Sequence, residues 1–326
     1  MDDMNMKVAG RRALTDNICE FTLEPVDGKE LPGFTPGAHL TIETPSGAMR
    51  RYSLVNDGNA PTQYVIAVKR EAESRGGSAS MHDDAAEGTE LRVSPPENTF
   101  ELTDAEDYLL IAGGIGVTPI YAMGQHLARE GKPYRVIYCT RSAEDTAYMR
   151  EMTDLFGDRL TIHHDGGDPD EVFDFWDDFE EPKNMKVYCC GPAPMLEEIE
   201  AISGHWPEGR VIFEDFKPVE VVRDDDVPFD VKLEKTGKTV TVPKDRSILE
   251  AIRDAGVPTV SSCESGTCGT CKTKLIAGEV DHRDMVLMDH EKKDTIMICV
   301  SRSKSGEELV LDAFGLGSSV WAVPSC

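Results

Sequence analysis

Four cysteines in the last quarter of the chain, Cys263, Cys268, Cys271 and Cys299, are spaced C-x4-C-x2-C, with the fourth 28 positions further on. A thiolate set of this spacing suits a [2Fe–2S] cluster. Thiolates that converge from one loop need small residues between them. Backbone N–H groups around Ser265, Gly266, Gly269 and Thr270 can then turn toward the sulfurs and stabilise the negative cluster. Cys299 lies in the apolar stretch Ile296–Val300, which predicts a buried element for the last ligand. Structural zinc held by four cysteines usually takes two C-x2-C-like pairs. Three cysteines facing a lone fourth favour the cluster over zinc or disulfides. Cys19, Cys139, Cys189, Cys190 and Cys326 have no ligand spacing.

A second chemistry-bearing stretch runs from Tyr108 through Gly113, Gly114 and Gly116 to Thr118 and Pro119. A hydrophobic strand here passes through glycines into a helix start. That arrangement lets backbone approach a pyrophosphate beside a positive helix end. A tight strand–helix turn also needs glycine, and the stretch is not the G-x-G-x-x-G fingerprint. A second Gly-Pro turn, Cys190-Gly191-Pro192, follows a later strand and adds weight. Thr140 and Arg141 end the strand between them, where an adenosine ribose would lie and Arg141 could read a 2′-phosphate. Glu144, Asp145, Asp165 and Asp168 crowd that edge with negative charge, favouring NADH over the 2′-phosphate of NADPH.

The third stretch is Arg50-Arg51-Tyr52-Ser53. An aromatic ring can cover an isoalloxazine, a hydroxyl can bond near its N5, and a guanidinium grips phosphate. Arg and Tyr on a strand also serve simply to cover a surface. His163-His164-Asp165 has the composition of a two-His, one-carboxylate iron site. Its place at a strand end makes a surface or adenosine-edge role the better reading.

These residues need three kinds of scaffold. Residues 1–103 read as short strands punctuated by Pro and Gly (Cys19–Leu23, His39–Thr44, Arg51–Val55, Tyr64–Lys69, Glu90–Val93), which predicts an antiparallel β-barrel. Residues 104–223 alternate buried-type runs (Tyr108–Ala112, Arg135–Cys139, Leu160–His163, Lys186–Cys190, Val211–Glu214) with helical stretches (Pro119–Arg129, Thr146–Leu155, Ala193–Ile202). That alternation predicts a parallel α/β sheet. Val219–Asp226 is an acidic run without period and reads as a linker. Residues 224–318 open with a hairpin pattern, Asp230–Glu234 and Thr239–Pro243. A helix capped at Ser247 by Glu250 follows, with Gly256 at its end, an α+β arrangement. Residues 319–326 are a tail without assigned function.

The 326 residues are 40% hydrophobic and 29% charged, enough for several cores. A net charge of −26 argues against nucleic acid and favours steering toward a basic partner. The N-terminus lacks a signal-peptide pattern, and the longest apolar stretch, Tyr108–Met123, is broken by three glycines and a proline. So broken a stretch predicts no membrane span, and an odd cysteine count without framework spacing points to a reducing cytoplasm.

Some 90 residues of the segment up to 318, including Asp281-His282-Arg283-Asp284 and Val286-Leu287, resemble plant-type ferredoxins with their β-grasp-like fold. Arg50–Ser53 matches the R-x-Y-S motif of the ferredoxin–NADP reductase superfamily. Val68-Lys69-Arg70 resembles its second flavin contact, and Arg75-Gly76-Gly77-Ser78-Ala79 its phosphate-binding turn. Pro96–Phe100 resembles the barrel-closing segment. The resemblance places Gly113, Gly114 and Gly116 at the pyrophosphate, and Thr118 near the flavin–nicotinamide contact. It places Cys190 beside the nicotinamide, with a cysteine buried in the sheet as the alternative. Phe216, in Phe213-Glu214-Asp215-Phe216, would reach back to the flavin.

In motif order and length the chain resembles the phthalate dioxygenase reductase family. That resemblance implies FMN, NADH and a separate Rieske-type aromatic oxygenase as acceptor. Two alternatives stay open: an FAD- and NADPH-linked ferredoxin-type reductase, and a redox-sensing carrier without turnover.

Overall fold

The computed structural model describes residues 3–71, 76–216, 223, 225–261, 266, 269–284, 286–288 and 290–312. The chain forms two compact units, 1–217 and 218–326. Among the described residues no helix is long and apolar enough to cross a membrane.

The first unit opens with strands β1 (Met4–Ala13), β2 (Ile18–Pro25), β3 (His39–Glu43), β4 (Met49–Ser53) and β5 (Tyr64–Lys69). Helix α1 (Gly77–Asp84) and strand β6 (Glu90–Val93) follow. The strands pair antiparallel in the order β4-β3-β6-β1-β2-β5. A bridge between Leu54, just past β4, and Ile66 on β5 joins the two edges. Inside lie Met6, Val8, Phe21, Leu23, Leu40, Ile42, Ile66 and Val68.

Two elements depart from the sequence expectation. Strand β1 was not expected: only Met6 and Val8 alternate inward, and a bulge between Val8 and Gly10 ends the pattern. Helix α1 replaces an expected turn. It buries Gly77, Ser78 and Ser80, with Met81 its one large apolar residue, so it carries no apolar period.

The parallel sheet holds β7 (Tyr108–Gly113), β8 (Tyr134–Thr140), β9 (Leu160–His164), β10 (Lys186–Cys190) and β11 (Val211–Glu214), in the order β11-β10-β7-β8-β9. Helices α2 (Val117–Glu130), α3 (Met149–Phe156), α4 (Trp176–Phe179) and α5 (Ala193–Ser203) connect them. Side chains alternate across the sheet. Leu110, Ala112 and Tyr188 face Val117, Ile120 and Met152, whereas Leu109, Ile111 and Cys189 face Phe175, Phe179 and Ile199. Helix α3 starts later than expected, because Tyr148 sits at φ 58° and Thr146 spends its hydroxyl on the Ser142 carbonyl at 2.8 Å.

Barrel and sheet share a core: Ile18, Val55 and Phe100 cluster with Tyr108, Ile120 and Met123. Gln125 on α2 donates to the Val55 carbonyl at 2.8 Å, Arg12 pairs with Glu151 at 2.6 Å, and Arg129 pairs with Asp57.

The second unit holds β12 (Phe229–Leu233), β13 (Lys238–Val242), α6 (Ile248–Asp254), β14 (Lys272–Ala277), β15 (Val280–Asp281), β16 (Thr295–Met297), β17 (Arg302–Ser303) and β18 (Leu309–Leu311). Its mixed sheet runs β13-β12-β18-β14-β16, with β12 parallel to β18, and β15 pairs β17 separately. The expected capping box starts α6: Ser247 Oγ accepts from Glu250 N, and the Glu250 carboxylate accepts from Ser247 N. Of the expected linker, Val219–Asp226, all but Arg223, Asp225 and Asp226 lies outside the described residues. The side chain of its last residue, Asp226, is buried against Arg283 and Arg302, partners far along the chain that no local pattern reveals.

Candidate functional site

The winding of the parallel sheet switches sides between β7 and β10, and both glycine turns leave the sheet there. A side chain at Gly116 would overlap the Cys190 carbonyl, and one at Gly191 would meet Gly113 Cα at 3.0 Å. The two turns therefore pack backbone against backbone. Gly114 takes φ +53°, and α2 starts directly behind with no side-chain cap. Thr118, buried, donates its hydroxyl to the Ile115 carbonyl at 3.1 Å. Cys190 has no exposed surface and pairs in register with Ala112 and Glu214. Burial, reinforced by nearby Glu214 and Asp215, pushes its thiol well up and keeps it neutral. Pro192 caps α5.

At the neighbouring strand end, the Thr140 hydroxyl meets Thr146 Oγ1 at 2.7 Å and His164 Nδ1 at 2.9 Å. Arg141 is exposed, and its carbonyl accepts from Gly166 N at 2.9 Å. The turn at Asp165–Asp168 therefore folds alongside it, with Asp165 accepting from Gly167 N at 2.7 Å. His163 contacts the Glu171 carbonyl at 2.7 Å, so the adjacent histidines serve different partners.

On the barrel, β4 places Arg50, Arg51, Tyr52 and Ser53 opposite Ile42, Thr41, Leu40 and His39. The Tyr52 hydroxyl is buried with no hydrogen-bond partner, and burial raises its pKa far above the usual phenol value. Gly76, at φ +83°, caps α1 without a side chain. A Cβ on Gly77 would lie 2.8 Å from Arg50 Nε, so the guanidinium rests beside the helix start. A guanidinium at an uncapped helix N-terminus suits a phosphate group. Ser78 Oγ accepts from Glu71 N at 3.1 Å, and Ala79 follows on the first turn. Val68 is buried; Lys69 pairs with Glu71 at 2.8 Å, and Arg70 grips Asp83 at 2.6 and 2.9 Å. Arg75 lies outside the described residues.

Glu214 was not singled out from sequence. It ends β11, one strand from Cys190, and its Oε2 is buried without a partner. Burial pushes its carboxyl up to about 7, against the pull of Arg51 on β4. Two orphaned polar atoms, Tyr52 Oη and Glu214 Oε2, thus lie in the unit that carries both motifs. They fit a ligand with ring polar atoms to offer. Phe216, two residues on, is 40% exposed and free to cover such a ligand. The available signal was a charged residue closing an otherwise apolar strand.

In the second unit Cys271 and Cys299 are buried, at 3% and 1% exposure; Cys263 and Cys268 lie outside the described residues. Cys299 sits in the turn after β16, where Ser301 N donates to the Met297 carbonyl at 3.0 Å. The preceding Ile298 carbonyl accepts from Leu249 N at 2.9 Å, which ties that turn to α6. Gly266 and Gly269 take φ +78° and +79°, conformations that turn backbone N–H groups out of regular pairing. Val286 would lie 3.5 Å from a Cβ on Gly269. Two buried thiols beside such a glycine loop fit a thiolate-held cluster.

Comparison with known proteins agrees with this geometry. Residues 231–304 match the 2Fe-2S iron-sulfur cluster binding domain, and residues 110–201 the oxidoreductase NAD-binding domain. The chain is 47% identical to phthalate dioxygenase reductase of Burkholderia cepacia over 95% of its own length and 97% of the relative's. It is 46% identical to the phthalate 4,5-dioxygenase oxygenase reductase subunit of Pseudomonas putida, over 94% and 96%. A solved phthalate dioxygenase reductase, described as a modular structure for electron transfer from pyridine nucleotides to [2Fe-2S], superposes with TM-score 0.85. It is 47% identical, and the match covers 95% of this chain and 98% of that one.

Proposed function

Because the chain belongs to the phthalate dioxygenase reductase family, we propose that it takes electrons from NADH through FMN to its cluster and delivers them to a separate Rieske-type oxygenase. The chain is an NAD(P)H-dependent flavin and [2Fe–2S] reductase. The choice of FMN, of NADH and of that acceptor is our reading.

One observation carries it. Arg50 beside the uncapped start of α1 makes a cradle that suits a phosphate, on the barrel whose β4 also presents Tyr52. A single terminal phosphate is what FMN offers. Gly76 to Ala79 would bind it through backbone N–H groups, Tyr52 and Ser53 would line the ring, and Phe216 would cover it. Val68, Lys69 and Arg70 would support the second edge.

When bound, a nicotinamide supplies a hydride, a flavin splits that electron pair, and a [2Fe–2S] cluster carries single electrons. The chain's own residues align and exclude water. Gly113, Gly114 and Gly116 let backbone approach the pyrophosphate, while Gly191 and Pro192 flank the nicotinamide side. Thr140 and Arg141 sit at the ribose edge, where Asp165 and Asp168 disfavour a further phosphate. Cys190 and Thr118, both buried, shape the floor between the two rings. Four cysteines, Cys263, Cys268, Cys271 and Cys299, would hold the cluster.

Extraction and chromatography of the bound flavin, with steady-state rates on NADH and NADPH, test the reading. One FMN per chain and a marked NADH preference are expected. Bound FAD, or faster turnover with NADPH, would overturn it.

A further inference from the structure

Asp226 ends an acidic run, yet both its carboxylate oxygens are engaged away from solvent. Arg283 donates through Nη1 at 2.9 Å and Nη2 at 2.5 Å, the Arg223 backbone N–H donates at 2.8 Å, and Arg302 Nε lies 3.4 Å away. The side chains of Asp226, Arg283 and Arg302 are 6%, 4% and 1% exposed. Charges so far from water are costly unless paired, so this arrangement is specific. Arg302 also donates to the carbonyls of Val227 at 3.2 Å and Pro243 at 2.9 Å, and lies over the Phe229 ring.

The same residues border the cluster turn. Arg302 follows Cys299 by three positions. Arg283 donates its backbone N–H to Ser301 Oγ at 3.2 Å. Its neighbour Asp284, with a side chain closed to solvent, accepts from Val286 N at 3.2 Å and Leu287 N at 2.8 Å. Val286 in turn lies against Gly269, two residues before Cys271.

We propose that Asp226 is a positioning residue for electron transfer: clasped by Arg283 and Arg302, it fixes where the chain from the flavin unit enters the ferredoxin unit, in register with the cluster turn. The inference rests on the reductase reading above. With the clasp, the incoming chain is secured at Asp226. Without it, the bond from Arg302 to the Val227 carbonyl and a partly exposed contact at 3.4 Å between Arg223 and Asp281 are left to hold the segment ahead of β12. An exposed ion pair contributes little, so the entry point is then weakly held. A loosely held tether lowers the effective concentration of one redox centre at the other, and misplacement costs rate steeply. In the affected step one electron leaves the NADH-reduced flavin and one Fe(III) of the cluster becomes Fe(II), with no further reactant.

The test compares Asp226→Asn, and Asp226→Asn with Arg283→Gln, against the parent, all loaded with flavin and cluster, by stopped flow with NADH. The single variant leaves Arg283 paired with Asp281 at 2.7 Å but takes the carboxylate from Arg302, and the double variant restores the charge balance of the cluster, which keeps folding in reach. Flavin reduction should keep the parent rate, and transfer to the cluster should slow by about tenfold or more. EPR g-values and the cluster's midpoint potential should not move, and Asp226→Glu should recover most of the rate. Parent-like transfer in a folded, loaded variant would overturn the proposal. So would a shifted potential or EPR spectrum, which would place the effect on the cluster itself, or failure of both variants to load, which would make the clasp a folding element. A parent chain whose flavin is reduced but whose cluster never is would sink the reductase reading itself, and this inference with it.

Discussion

Gly116 lies against the backbone carbonyl of Cys190 with no room for a side chain between them. The contact locks the turn after β7 to the turn after β10. A carbonyl cannot swing aside as a side-chain tip can, so Gly116→Ala must part the two turns. Overpacking of this kind costs about 1–3 kcal/mol. Gly116→Ala should lower the unfolding midpoint by that amount and raise the KM for NADH. Gly114→Ala meets nothing nearby and carries only the strain of φ +53°, about 1–2 kcal/mol. Equal KM for NADH in Gly116→Ala and the parent would show that the locked turns do not shape the nucleotide site.

Gly77 separates stability from flavin affinity. Its φ is not left-handed, so alanine on the first turn of α1 should stabilise the flavin-free chain by about 0.5–1 kcal/mol. The new Cβ would stand 2.8 Å from Arg50 Nε and 3.0 Å from Arg50 Cγ, displacing the guanidinium from the helix start. Gly77→Ala should therefore raise the flavin-free unfolding midpoint and weaken FMN binding by about tenfold, the scale of one charge-assisted contact. Calorimetric titration with FMN reads the second effect. Riboflavin, which has no phosphate, should bind both proteins alike. An equal loss for riboflavin would move the phosphate site elsewhere.

Legibility in the sequence followed the range of the interactions. Strands β5, β6, β10 and β11 lie within the limits that the sequence predicts, because an apolar run or alternation is a local signal. The capping box at Ser247 and Glu250 is equally local. Strand β1 escaped because its inward alternation stops at a bulge, and α1 because small residues bury without a period. Cys271 and Cys299 announce themselves by residue type. Asp226 and Glu214 do not: an acidic residue reads as solvated, and both owe their burial to segments distant in the chain. Long-range packing is what converts a bland carboxylate into a positioning or titrating group.

Glu214 gives the pH dependence of the first unit a definite sign. Its carboxyl is pushed from the usual 4.5 up to about 7, chiefly by burial, with Arg51 opposing. Below 4.5 the group is protonated in both folded and unfolded chains and contributes nothing. Between 4.5 and 7 the unfolded chain releases its proton while the folded chain keeps it, so stability falls as pH rises. Above 7 the folded carboxylate ionises too and the penalty levels off, at about 3 kcal/mol for the full shift. Glu214→Gln keeps the shape and removes the titration. Flavin-free Glu214→Gln should match the parent near pH 4.5 and gain on it progressively, by up to about 3 kcal/mol at pH 8. Urea unfolding followed by tryptophan emission, in a background with Trp321→Phe in the second unit, reads this unit, since Trp206 is buried beside Phe179. A gap between variant and parent that stayed constant from pH 4.5 to 8 would mean that the Glu214 carboxyl titrates normally and that its Oε2 is solvated. The orphaned oxygen could then no longer be counted among the groups offered to the flavin.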